Sequence, residues 1–134
     1  MPMEKQMEKT VLTALERAIM CAQLASDKKA FDIRALDISE ITTIADYLVI
    51  VSGHSDRQAQ TIANNIRVGL KKYGKVIDIE GESEGKWIVM DYGDVLVHIF
   101  HEPTRRYYDL DGLWQMAPEV ELPEDIREAP QQSA

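Results

Sequence analysis

The chain has 134 residues, 45% of them hydrophobic and 28% charged, with a formal charge of −8. That length calls for one main hydrophobic core, and that composition excludes bulk disorder. No apolar run reaches the ~18 residues that would span a bilayer. The opening Met-Pro-Met-Glu-Lys stretch has neither a secretory apolar segment nor an Arg-rich, acid-poor transit pattern, so a cytoplasmic address is expected.

Cys21 is the only cysteine, which excludes an intrachain disulfide and a Cys-based zinc cage. Its helical spacing from Ala18, Ala22 and Ala25 makes it a small packing residue. The charge is uneven: residues 1–75 carry a net +2, residues 76–117 a net −6 and residues 118–134 a net −4. An acidic second half argues against nucleic acid as the ligand there and favours a basic protein surface.

Met7, Val11, Leu15, Ala18 and Ala22 recur at spacings of three and four, predicting an amphipathic helix over residues 4–25. Residues 31–35 alternate apolar and polar, as in a half-buried strand. Residues 47–51 are continuously apolar, which suits a central strand covered on both faces. Ser55 and Gln58 form a candidate capping box for a helix that turns Ala59, Ile62, Ala63, Ile66, Leu70 and Tyr73 inward and stops at Gly74.

Residues 76–79 read as a third strand and residues 81–85 as a loop. Residues 87–91 and 95–100 read as a hairpin about Tyr92-Gly93-Asp94. Residues 104–114 predict a turn and a short closing helix, with Tyr107, Leu110, Leu113 and Trp114 at helical spacing. The expected class is thus mixed α+β: five strands, two long helices and a short C-terminal helix, in one domain over residues 1–117. Residues 118–134 hold three prolines and five acids and are expected to form a disordered acidic tail.

An enzyme would begin from Asp91, Asp94 and His98, two carboxylates and an imidazole on one hairpin. Yet aspartates beside a Gly turn are favoured for their side-chain-to-backbone bonds, and no further oxygen ligand stands nearby. His98 and His101 are three apart, so a strand points them to opposite faces. His54 precedes a helix N-terminus, but the segment lacks the glycines and Lys-Ser or Lys-Thr of a phosphate loop. No Gly-x-Ser-x-Gly elbow occurs. Neither a metal nor a cofactor is therefore expected.

Hairpin parity puts Trp87, Val89 and Asp91 on the same side as Leu96, His98 and Phe100. That face is too polar for deep core, so Trp87 either lies partly exposed or covers the core beneath a helix; the pattern alone leaves both open. Tyr92 is expected to project from the turn. Trp and Tyr flanked by acids have the make-up of a binding hot spot. Arg67, Lys71, Lys72 and Lys75 on the second helix form either a solvated face or a minor RNA contact.

The segments Asp32-Ile33-Arg34-Ala35-Leu36-Asp37, Ile44 to Gly53 with Ser55, Arg57 and Gln58, Glu80-Gly81, Trp87 to Phe100, Arg106, Tyr108 and Leu113-Trp114 together resemble the ribosomal silencing factor, or Iojap-like, family. The resemblance implies a five-stranded mixed sheet similar to the nucleotidyltransferase fold, used without catalysis. It implies binding to the large ribosomal subunit through ribosomal protein number fourteen, steric blocking of small-subunit joining, lowered translation in starvation, and a homodimer. The family's contact positions fall on Trp87 and Tyr92, supported by Asp91, Asp94 and His98. Asp111-Gly112 departs from the family pattern and implies a weaker closing helix, and the segment after residue 118 has no firm family counterpart. The competing class is a nucleotidyltransferase-like, metal-dependent enzyme using Asp91, Asp94 and His98.

Overall fold

A computed structural model describes residues 11–127. Helix α1 (Ala14–Ser26) starts at Thr13, whose side chain accepts from the Glu16 N–H while the Glu16 carboxylate accepts from the Thr13 N–H. This reciprocal cap sets a later start than periodicity predicts. Val11 is exposed and non-helical, and residues 4–10 of the expected helix, Met7 included, lie outside the described residues. In α2 (Asp56–Leu70) the predicted box is half formed. Ser55 accepts from the Gln58 N–H, but the Gln58 side chain turns to the His54 N–H and to the carbonyls of Lys28 and Lys29. A 3-10 turn (Lys71–Tyr73) and Gly74 end it.

The strands are β1 (Phe31–Asp37), β2 (Tyr47–Gly53), β3 (Asp78–Glu80), β4 (Trp87–Asp91) and β5 (Val95–His101). They form one mixed sheet in the order β1-β2-β5-β4-β3, with β2 and β5 parallel and the other pairs antiparallel. The continuously apolar β2 lies inside the sheet and Leu48 to Gly53 are buried, as expected for a strand covered on both faces. The third strand is shorter than predicted and begins two residues later.

Both long helices lie on one face. Ala18, Cys21, Ala22 and Ala25 of α1 join Ala59, Ile62, Ala63, Ile66 and Leu70 of α2 over Val49, Val51, Ile88, Met90, Val97 and Ile99. Cys21 is fully buried, and burial pushes its thiol up to about 12, which leaves it an inert packing residue. Alanines in α1 let the helices approach closely. At Gly69 an added Cβ would stand 2.6 Å from a Leu24 methyl.

The opposite face is covered over its β1–β2 half by the C-terminal part of the chain, from the end of β5 onward. Helices α3 (Glu102–Tyr108) and α4 (Leu110–Leu113) meet at Asp109, a left-handed residue with φ 52°. Leu110, Trp114 and Ala117 pack on Leu36, Leu48, Ile50 and Phe100. Of the four residues at helical spacing, Tyr107 and Leu113 are exposed.

The expected disorder from residue 118 fails for residues 118–127. The Asp37 N–H donates to the Pro118 carbonyl (2.9 Å) and the Val120 N–H to the Ala35 carbonyl (2.8 Å), so the segment lies along the edge of β1. It then turns through α5 (Glu124–Arg127), with Leu122 and Ile126 in the core beside α1. Composition hid this because few apolar residues are needed when the backbone pairs with a strand edge. Residues 128–134 lie outside the described residues.

Candidate functional site

The β4–β5 register pairs Trp87 with Phe100, Val89 with His98 and Asp91 with Leu96. These six side chains share the face away from the long helices, as parity predicts. On β3, Asp78 lies opposite Asp91 and Glu80 opposite Val89, which adds two exposed carboxylates to the same face. Whereas Phe100 is covered by the C-terminal segment, Trp87, Val89, Leu96 and His98 are only half-buried. The β3–β4 end is thus a shallow apolar surface beside three carboxylates.

Trp87 is fixed by its neighbours. Its indole N–H donates to His98 Nδ1 at 2.9 Å, and its ring lies 5.0 Å from Phe100 and 5.0 Å from Tyr108. His98 accepts at Nδ1, so the neutral ring carries its proton on Nε2. Burial lowers its pKa to about 4, which keeps the ring neutral and accepting near neutral pH. Asp91 accepts the Gly93 N–H at 2.8 Å, and Gly93, at φ 89°, makes the turn that a residue with a Cβ rarely adopts.

Tyr92 does not project from this turn. It is 8% exposed and belongs to the helix-side core, with Arg17 over its ring at 5.8 Å. Alternation accounts for this: with Asp91 on the open face, Tyr92 follows Ile88 and Met90 to the other. Its hydroxyl is buried without a hydrogen-bond partner among the described residues, and burial raises its pKa.

Asp94 also leaves the group. Its Oδ1 lies 3.0 Å from Arg17 Nε of α1, and its carbonyl accepts from the Asp46 and Tyr47 N–H groups. The Asp91–Asp94–His98 constellation of the enzyme reading is therefore divided between two faces. Among the described residues no three His, Cys, Asp or Glu side chains are grouped to hold a metal ion. His101 points away from His98 and pairs with Asp56 at 3.0 Å. His54 stacks on Phe31 at 4.2 Å.

One network escaped the sequence reading. Arg105, buried on α3, donates to Ser52 Oγ (2.8 Å), to the Asp32 carbonyl (2.7 Å) and through two nitrogens to Asp111. Arg34 on β1 bridges Asp111 (2.8 Å) and grips Glu119 through two bonds of 3.0 and 2.9 Å. These partners hold the Asp111 carboxyl down at about 2, Arg105 foremost. The departure at Asp111 is thus the joint that ties α4 and the C-terminal segment to the sheet. Pairs such as Arg34 and Glu119, 85 residues apart, leave no local periodicity; the one available hint was helix phase, which turns Arg105 inward and Arg106 outward.

A family model described as ribosomal silencing factor during starvation matches residues 11–134. The chain is 43% identical over 104 residues to the ribosomal silencing factor RsfS of Bacillus subtilis, covering 77% of this chain and 88% of that protein. It is 33% identical over 120 residues to the chloroplastic protein Iojap of Arabidopsis thaliana, covering 87% of this chain and 49% of that one. A crystal structure of a protein from Chromobacterium violaceum superposes with a TM-score of 0.75 at 33% identity, over 78% of this chain and 88% of that one.

Proposed function

The chain belongs to the ribosomal silencing factor family, and on that premise we propose that it docks its acidic β4–β5 face on ribosomal protein number fourteen of the large subunit. Occlusion is the mechanism: a protein seated there blocks the approach of the small subunit and lowers translation in starvation. No step of chemistry is needed, only an interface of more than ~1,000 Å². The observation that carries this reading is the uncovered half of the second sheet face, where Trp87, Val89, Leu96 and His98 stand beside Asp78, Glu80 and Asp91.

In this reading Trp87 is the anchor, His98 holds it through the 2.9 Å bond, and Asp91 keeps the turn in shape. Tyr92 and Asp94 act from behind, bracing the turn against Arg17. The carboxylates steer the face toward a basic partner. Arg67, Lys71, Lys72 and Lys75 add a minor salt-dependent contact with ribosomal RNA. The free protein is a homodimer, and its site of action is the cytoplasm, where the subunits are.

Subunit joining followed by sedimentation tests the reading. Trp87→Ala should weaken large-subunit binding by about 30-fold, the ~2 kcal/mol typical of a buried aromatic anchor. Since Trp87 also packs on Phe100 and Tyr108, Asp78→Lys with Glu80→Lys is the companion variant: both sites are exposed, and association should slow severalfold at low salt. Unchanged inhibition by both variants would remove this face from the mechanism.

A further inference from the structure

A second concavity adjoins Trp87 and differs from the flat sheet surface. About 460 Å³ in volume, it is walled by Trp87, Pro103, Tyr107 and Tyr108, with Glu84 and Lys86 at its sides. Tyr107 is 80% and Tyr108 56% exposed, although each already has an aromatic neighbour. The two tyrosine rings meet edge to face at 4.9 Å and 88°, and Tyr108 leans on Trp87 at 5.0 Å and 41°. The arrangement leaves aromatic faces turned to solvent at different angles around one hollow. Lys86 Nζ is drawn 3.1 Å from Asp56, so its charge is compensated, while Glu84 is an exposed carboxylate.

Aromatic faces present negative potential to a cation, and a planar guanidinium stacks on one ring while its edge N–H groups reach a carboxylate. We propose that this hollow receives an arginine side chain of the basic partner protein, with its guanidinium against Tyr107, Tyr108 and Trp87 and its N–H groups toward Glu84. The inference rests on the docking reading and adds the chemistry of the contact. Charge selects the occupant: residues 76–117 carry a net −6, so a cationic side chain is drawn to this end of the molecule. Flat ring walls select guanidinium over the compact, strongly hydrated ammonium of lysine. The backbone supports the hollow at Gly81, where an added Cβ would stand 2.1 Å from the Trp87 carbonyl oxygen.

The test is an NMR titration of the full chain with the peptide acetyl-Gly-Arg-Gly-amide, beside the same peptide carrying uncharged citrulline. The arginine peptide should shift the Trp87 indole N–H and the amides of Glu84, Tyr107 and Tyr108 with millimolar affinity, and the citrulline peptide should not. Glu84→Gln and Tyr107→Ala should each weaken binding about fivefold; both positions are exposed, and preserved spectral dispersion elsewhere shows that the fold is intact. Equal shifts from both peptides, or none from arginine, overturn the inference. Large-subunit binding by the same variants separates the two proposals. If the peptide binds but wild type does not bind subunits, the docking reading falls and the arginine site stands. If subunits bind both variants as tightly as wild type, the arginine contact falls and docking stands.

Discussion

The two faces of the sheet are built by different means. Beneath α1 and α2, alanines, isoleucines and valines interlock into a continuous apolar layer, and the chain that covers the face is itself regular helix. On the other face a short, kinked segment covers the β1–β2 half, and charged bonds from Arg34 and Arg105 to Asp111 and Glu119 tie it down. The first arrangement resists change because its side chains are buried in one close-packed cluster. The second leaves the β3–β4 end free for another molecule, and its cover is held at a few discrete points.

Removing one side chain from each covered region sets the two constructions against each other. Ile99→Ala, under the helices, should destabilise the fold by about 2–5 kcal/mol through lost transfer energy and a cavity, read by denaturant unfolding. Asp111→Ala, on the other face, should remove about 1.5–3 kcal/mol by stranding the buried Arg105 and releasing Arg34. It should also raise amide exchange in residues 118–127 ahead of the long helices. Exchange rising uniformly would show that the segment is part of the main cooperative unit rather than a tied cover.

Acid titration probes the same contrast, since the perturbed groups of the second face respond in separate windows. His98 has its pKa lowered to about 4 from an ordinary 6.5, so the unfolded chain takes up a proton first. Its contribution is full above pH 6.5 and is lost as pH falls toward 4. Asp111, held at about 2, keeps its contribution above its ordinary range near 4 and loses it as pH falls toward 2. His98→Gln should flatten the stability curve between pH 6.5 and 4 and leave the lower window unchanged. An unaltered slope in the upper window would mean that the imidazole protonates in place without disturbing Trp87.

The helix-side face was legible because its signals are local. The hairpin turn that sets the parity of β4 and β5, the unbroken apolar run of β2 and the α2 stripe each lie within about a dozen residues. The C-terminal cover was not, because what orders residues 118–127 is an unpaired edge of β1 and two arginines remote in the chain. Tyr92 is a different case. The parity that places Asp91 outward already turns Tyr92 inward, whereas its position in a turn flanked by acids favours a projecting ring. Trp87, for which the pattern allowed two placements, is half-buried, with one side on Phe100 and Tyr108 and the rest at the surface.

The smallest expected effect comes from Tyr92, on the buried face of the hairpin turn. Tyr92 carries a buried hydroxyl with no hydrogen-bond partner among the described residues, while its ring packs beneath Arg17. Removing only the hydroxyl deletes a desolvated polar atom and keeps the ring, so Tyr92→Phe should be neutral or up to ~1 kcal/mol more stable by denaturant unfolding. Large-subunit binding should stay within twofold of wild type. A direct contact between the phenol and the partner predicts the opposite, a loss of binding without loss of stability. Such a result would require the turn to open in the complex and expose the hydroxyl. Trp87→Ala and Tyr92→Phe therefore read the two faces of one hairpin, the first by affinity and the second by its near-silence.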